Sequence, residues 1–292
     1  AFEDAGLPAG VLNLVFGDPA EISSYLIPQD AVRLVAFTGS TTVGRHLTTL
    51  AAQHMTSTLM ELGGHAPVLV CEDTDAQVAG TSGAIRKMRN AGQVCTSPTR
   101  FFVHEDIFET FTAAFVDRAK KTVVGDGTKA GVEMGPLANE RRVPVLTALV
   151  EDAHAKGATV ATGGARHGET GYFFQPTVLL NVPKDALIMQ EEPFGPIAII
   201  NSVRSLDEAI AQANSVPYGL AGYAFTNRAD YIDRMIDEVE VGNLSINTLE
   251  ASMPETPFGG VKSSGTGREG GTEGLENYMT IKHVWHSAKI AL

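Results

Sequence analysis

Short apolar runs alternate along this chain with stretches in which apolar residues recur every third or fourth position. Side chains repeat with period two along a strand and about 3.6 along a helix, so the alternation marks strands and helices in turn. Residues 11–16, 32–37 and 57–62 read as strands separated by helices, and the second strand leads into a helical face through Leu47, Leu50 and Ala51. That is half of a doubly wound sheet. A second series begins at Pro67, with strands predicted over residues 67–71, 100–103, 197–200, 222–225 and 243–246. Its helices are predicted over residues 75–91, 106–123 with Asp106 as cap, 139–156, 206–214 and 229–239. Val143, Leu146, Val150 and Ala153 make the buried face of the third of these. Residues 125–136 and 163–172 read as surface loops, and residues 280–285 alternate like an edge strand. The fold class is α/β.

Composition narrows the classes of function. With 43% hydrophobic and 19% charged residues, 292 residues supply ample core for about two domains. A net charge of -12 and a pI near 5.1 argue against a nucleic-acid partner, because phosphate binding is dominated by Lys and Arg. No apolar run approaches the ~20 residues that span a bilayer, so no membrane partner is expected and a cytoplasmic location is. Two cysteines make no disulfide framework, and eight histidines show no ligand spacing. No metal is expected, and small soluble ligands are the default.

Three segments carry candidate chemistry. Residues 90–98, NAGQVCTSP, place Cys95 in a polar turn loosened by Gly92 and stopped by Pro98. An isolated cysteine is more often a small buried hydrophobe, which is how Cys71 reads at the end of an apolar run; the polar setting makes Cys95 a nucleophile instead. Residues 59–64, LMELGG, end an apolar strand on Glu61 and two glycines. Glu61 is either an ordinary solvated glutamate or a desolvated carboxyl whose raised pKa suits a general base. Residues 37–44, FTGSTTVG, make a strand, a glycine turn and a helix start, which is an ordinary junction or a phosphate site built from free N–H groups and a helix dipole.

Together these segments resemble the aldehyde dehydrogenase superfamily, and two more motifs follow in family order. Residues 191–196, EEPFGP, look like its coenzyme ribose and nicotinamide segment, and residues 257–269, PFGGVKSSGTGRE, look like its closing signature. The resemblance implies a partial Rossmann-type coenzyme domain over residues 1–63, an α/β catalytic domain over 64–263, and a return segment with an oligomerisation strand over 264–292. It also implies a missing N-terminal part: residues 5–11 lie midway through the family's coenzyme domain, and the first residue here is Ala1. The complete protein is then expected to be a homodimer or homotetramer. Residues 1–292 alone are expected to be inactive and to bind coenzyme poorly.

By resemblance, Cys95 attacks an aldehyde carbonyl, its own backbone N–H is a candidate oxyanion donor, and hydride passes to NAD or NADP. Glu61 activates water against the Cys95 thioester, and Glu269 helps relay the proton or is a solvated loop acid. The coenzyme contacts carried over are Gly39 and Ser40 at the pyrophosphate, Gly44 at the close helix approach, Leu62 through its backbone at the nicotinamide, Glu192 at a ribose and Phe194 beside the ring. Arg89 and Ser252 match the carboxylate-binding arginine and serine of succinate semialdehyde dehydrogenases; otherwise Arg89 is a surface arginine among Arg86 and Lys87. Thr96 is not a cysteine, so a vicinal disulfide at the nucleophile is excluded. Two other readings stand beside this one: an inert protein that keeps the fold, and a cysteine hydrolase pairing Cys95 with a histidine. The dehydrogenase ranks first because the Gly39 turn and the Glu192 and Phe194 pair make sense only with a coenzyme.

Overall fold

In the computed structural model, which describes residues 1–288, an irregular start leads into α1 (Pro19–Leu26), β1 (Leu34–Thr38), α2 (Thr41–Ala52) and β2 (Ser57–Glu61). Then come β3 (Pro67–Val70), α3 (Ala76–Met88), β4 (Arg100–His104), α4 (Phe108–Lys120), α5 (Arg142–Ala155), β5 (Thr159–Thr162) and β6 (Thr177–Leu180). The remainder is α6 (Leu187–Gln190), β7 (Ile197–Val203), α7 (Leu206–Ala213), β8 (Ala221–Phe225), α8 (Ala229–Glu238), β9 (Asn243–Ile246), β10 (Gly265–Thr266) and α9 (Glu273–Glu276).

These elements build two sheets. In the first, β1 and β2 run parallel through the α2 crossover, and β10 returns from far along the chain to pair antiparallel with β2. The second has the order β5-β6-β7-β4-β3-β8-β9, parallel except at the β5 edge. Its central strands are apolar without alternation because both faces are covered: Val68, Leu69, Phe101, Phe102 and Val103 are fully buried. Phe101 meets Phe111 and Phe115 of α4, with ring centroids 5.0–6.0 Å apart. A smaller cluster of Ile27, Leu47, Ala51, Met60 and Leu62 packs α1 and α2 on the first sheet. No helix among the described residues is long and apolar enough to cross a membrane.

Several sequence expectations change. Residues 11–16 form no strand, and Val11, Leu12, Leu14, Val15 and Phe16 are all solvent-exposed. A strand needs hydrogen-bonding neighbours, and no strand of the described residues lies alongside them. Residues 281–285 are likewise irregular and exposed within the single chain; the strand expected over 280–285, which would pair across a subunit interface, has no partner among the described residues. Asp106 does not cap α4: it sits in a tight turn over Glu105–Ile107, and its backbone N–H is itself capped by the His104 ring. Finally, α3 stops at Met88 instead of running to Ala91, because Asn90 and Ala91 adopt left-handed conformations. That early stop shapes the turn carrying Cys95.

Candidate active site

The carboxyl ends of β1 and β2 meet the N-terminus of α2, and this is where doubly wound sheets place their ligands. The Gly39 N–H donates to the Glu61 carbonyl at 3.0 Å, locking the two strand ends together. Ser40 caps α2 by accepting from the Val43 N–H, leaving the first-turn amides of a twelve-residue helix aimed outward. Gly44, one turn on, has no room for a side chain: a Cβ there would lie 2.4 Å from the Leu62 side chain. It sets how closely α2 approaches β2 and does not itself line the site.

Opposite stands the Cys95 turn. After α3 ends, the Asn90 and Gln93 side chains exchange hydrogen bonds with each other's backbone carbonyls, and Gln93 Oε1 accepts from the Ala138 N–H at 2.8 Å. The buried Tyr223 hydroxyl donates to the Thr96 carbonyl at 2.6 Å, and the buried Lys87 ammonium donates to Ser97 Oγ at 3.1 Å. The turn is therefore tied down, not flexible; Thr96 and Ser97 are buried and Cys95 is half-buried. Gly64 is where the two halves of the site touch, since a Cβ on it would lie 2.6 Å from the Cys95 carbonyl oxygen.

Between these walls lies a cavity of about 740 Å³. Gly39, Ser40, Thr41, Glu61 and Leu62 line it from the first wall, Gln93, Val94 and Cys95 from the turn opposite, and Arg142, Glu192, Phe194 and Tyr218 complete the lining. Seven of the eleven residues singled out in the sequence thus line one space, and an eighth, Gly44, belongs to its immediate scaffold.

Glu61 is 4% exposed, and neither of its carboxylate oxygens has a hydrogen-bond partner. Burial first, then the nearby Glu269 charge, push its pKa from 4.5 to about 7 against the pull of Arg268. A shift of that size is ~3 kcal/mol against ionisation, so acid and carboxylate forms are both populated near neutrality. Glu61 is held by the closing segment: the Leu62 N–H donates to the Ser264 carbonyl, while Ser264 Oγ donates to the Gly63 carbonyl and accepts from the Gly219 N–H. Glu269 itself is exposed and outside the cavity, with its backbone paired to Phe258.

Burial, followed by Glu192 and Glu61, raises the pKa of Cys95 above its ordinary value; the N–H groups of Cys95 and Thr96 oppose the rise. The thiol is therefore mostly protonated at neutral pH, and its use as a nucleophile would need a proton acceptor in the same cavity. Cys71 is pushed further, to about 12, by burial and flanking acids, which fits a structural thiol. Glu192 Oε1 accepts from the Gly64 N–H at 3.2 Å, and burial raises its pKa to about 7. Phe194 is partly exposed on the cavity wall, held there by a left-handed backbone at φ 40°.

Arg89 and Ser252 do not join this cavity. Arg89 is exposed beyond the end of α3 and lines a second cavity of about 670 Å³ with Arg86, Arg118, Phe225, Leu249 and Glu250. Ser252 is exposed two residues past that lining. Tyr223 relates the two spaces, because its buried hydroxyl feels Arg86 and Glu250 on one side and Cys95 on the other.

Sequence reasoning missed Lys87, Arg142 and Tyr218. For Lys87 a signal existed: it falls on the same helical face as Gly80, Gly83 and Ala84, all buried. Arg142 reaches the site from α5, where it donates to the Pro193 carbonyl, and no local motif marks it.

The pattern of the aldehyde dehydrogenase family matches residues 1–284, and the chain belongs to that family. Over 282 residues it is 48% identical to a 4-(hydroxymethyl)benzenesulfonate dehydrogenase of Comamonas testosteroni, covering 97% of this chain and 59% of that protein. It is 42% identical over 282 residues to a succinate-semialdehyde dehydrogenase of Paenarthrobacter nicotinovorans, covering 96% and 63%. A double mutant of betaine aldehyde dehydrogenase from Staphylococcus aureus, solved in complex with NAD+, matches with a TM-score of 0.94 at 36% identity over 99% of this chain and 59% of that one. The chain spans about three fifths of the length of these relatives.

Proposed function

We propose that the protein carrying this chain oxidises an aldehyde bearing a distal anion to the corresponding carboxylic acid, using NAD or NADP. The observation that carries this reading is the shared cavity: a half-buried thiol, Cys95, and a carboxyl titrating near neutrality, Glu61, line one space with Glu192 and Phe194.

The residues present fit a nicotinamide dinucleotide. The α2 N-terminus and Ser40 offer amides to a pyrophosphate, Glu192 offers acceptor oxygens for ribose hydroxyls, and Phe194 offers an aromatic face. When bound, the coenzyme supplies the hydride acceptor. The chain's own residues do the rest. Cys95 Sγ gives its proton to a carboxylate of the cavity and attacks the aldehyde carbon, forming the S–C bond as the carbonyl pair moves to oxygen. The oxyanion collapses as hydride leaves, giving a thioester on Cys95. Once the first proton has passed to solvent, Glu61 takes one from water, the resulting hydroxide attacks the thioester, and the acid departs as the Cys95 thiolate leaves and takes that proton back from Glu61.

Two of the three relatives above are named for anionic compounds, a sulfonate and a carboxylate, and the third for betaine aldehyde. In the second cavity Arg86 is paired with Glu250 and Arg118 with Glu133, and Arg89, with no carboxylate partner among the described residues, is the guanidinium that supports the same class for this chain. The test is a panel of aldehydes on the full-length protein: succinate semialdehyde, 4-formylbenzenesulfonate, and the neutral propanal and benzaldehyde. Arg89→Met is expected to raise KM for the two anions on the order of tenfold or more while leaving the neutral pair little changed. Equal effects on all four would remove the anion from the reading, and no oxidation of any by the unaltered protein would remove the activity.

A further inference from the structure

Two fully buried cations among the described residues take no part in the reaction above, Lys87 and Arg100; Arg100 is satisfied by the His65, Gln212 and Ala213 carbonyls, whereas Lys87 is not. It lies in the last turn of α3, its side chain is 1% exposed, and its one hydrogen bond among the described residues goes to a neutral hydroxyl, Ser97 Oγ, at 3.1 Å. The ammonium packs on the backbone of Gly92: a Cβ there would lie 3.2 Å from Lys87 Nζ and 2.1 Å from the Gly195 carbonyl oxygen. Gly92, at φ 67°, therefore lets the cysteine turn and the 191–196 segment close over the amine together. Removing an ammonium from water costs several kcal/mol, so a lysine is an expensive filler where Leu or Met would pack. Burial lowers its pKa to about 7, and only the Glu192 charge opposes this. Glu192 reciprocates: Gly64 N–H, Lys87 and Arg142 all favour its ionised form, while Tyr218 and Cys95 are the other titratable groups that feel its charge.

We propose that Lys87 is a positioning residue for the cavity: through Ser97 it fixes the turn that carries Cys95, and its charge draws the Glu192 carboxylate onto the Gly64 amide. One cation on α3 thus holds the nucleophile wall and the coenzyme wall in register. The inference rests on the reading of Cys95 as nucleophile and Glu192 as a coenzyme contact.

The experiment uses the full-length protein and four variants, Lys87→Met, Lys87→Arg, Ser97→Ala and Glu192→Gln, with NAD+ and NADP+ titrated separately across pH. In the unaltered protein, coenzyme binding tightens as pH rises through about 7, where Glu192 ionises, and Glu192→Gln abolishes that dependence. Lys87→Met moves the midpoint upward by about one pH unit, a tenfold change in Glu192 proton affinity. Lys87→Arg, which keeps the charge, leaves it near the original value. Ser97→Ala lowers kcat on the order of tenfold, through a misplaced Cys95, with coenzyme affinity retained. A merely structural lysine would not move the midpoint. A flat profile in the unaltered protein overturns the reading of Glu192 itself. A titrating profile that Lys87→Met leaves in place overturns the inference alone. Should Lys87→Met fail to fold, Ser97→Ala decides: unchanged kcat overturns the positioning role, and reduced kcat with intact coenzyme affinity supports it.

Discussion

A carboxyl group that is buried, unpartnered and half-ionised near neutrality makes an energetic commitment that can be measured without any substrate. Glu61 has its folded pKa raised from 4.5 to about 7. Its contribution to stability is therefore fully present below the unfolded value and is lost as pH rises through about 7. Above that pH the buried carboxylate is a liability that an uncharged amide lacks, so Glu61→Gln is expected to stabilise the protein by about 2 kcal/mol at pH 8 and by little at pH 5. Urea denaturation of the full-length protein at the two pH values checks this; equal stabilities at pH 8 would mean that Glu61 is solvated or paired. At this scale the sequence was most legible where chemistry is local. Cys95, Glu61, Glu192 and Phe194 each sit in a short segment whose glycines and prolines announce an unusual backbone, and all four line one cavity. Lys87 and Arg142 went unread because they reach the site from the last turn of α3 and the first residue of α5, where no glycine or proline motif marks them and only the buried face shared with Gly80, Gly83 and Ala84 pointed to Lys87. The acidity of Cys95 was also beyond the sequence, since its environment is set by burial and by two carboxylates distant along the chain.

Elements with strong periodicity or continuous apolar runs were read within a few residues of their ends: β3, β4, β7, β8 and β9, and helices α5, α7 and α8. The strands β5 and β6 were missed. Each has only four residues, and β5 is a half-buried sheet edge with threonine at both ends, so neither alternation nor a hydrophobic run singles it out. The helix α3 was extended too far because its pattern continues to Ala91 while the backbone turns left-handed at Asn90 to form the Cys95 turn. The turn's tertiary contacts override helical propensity there. The α2–β2 contact supplies the prediction at this scale. Leu62 both packs against Gly44 and lines the cavity, so a side chain at Gly44 must displace a cavity wall. Gly44→Val is expected to destabilise the protein by about 1–3 kcal/mol and to weaken coenzyme binding more than it alters Cys95 reactivity towards iodoacetamide. Unchanged coenzyme affinity in that variant would show that α2 does not position the coenzyme.

For the molecule as a whole, the parallel α/β architecture was legible from alternation alone, while the return of β10 to β2 was not, because two residues carry no periodicity. The exposed apolar run at residues 11–16 and the free edge of β1 lead us to expect that residues 1–292 expressed alone associate or aggregate and bind NAD+ weakly. Calorimetric titration checks this, and micromolar binding would show that these surfaces need no cover. The central claim is that Cys95 carries the acyl group and Glu61 releases it. It is tested most directly by mixing full-length Glu61→Gln protein with coenzyme and succinate semialdehyde and weighing the protein's peptides within one turnover. The account predicts a stoichiometric burst of reduced coenzyme, a succinyl mass increment on the peptide containing Cys95, slow subsequent turnover, and loss of both burst and increment when Cys95→Ala is added. A burst without an adduct on Cys95, or steady turnover at the unaltered rate, would contradict it.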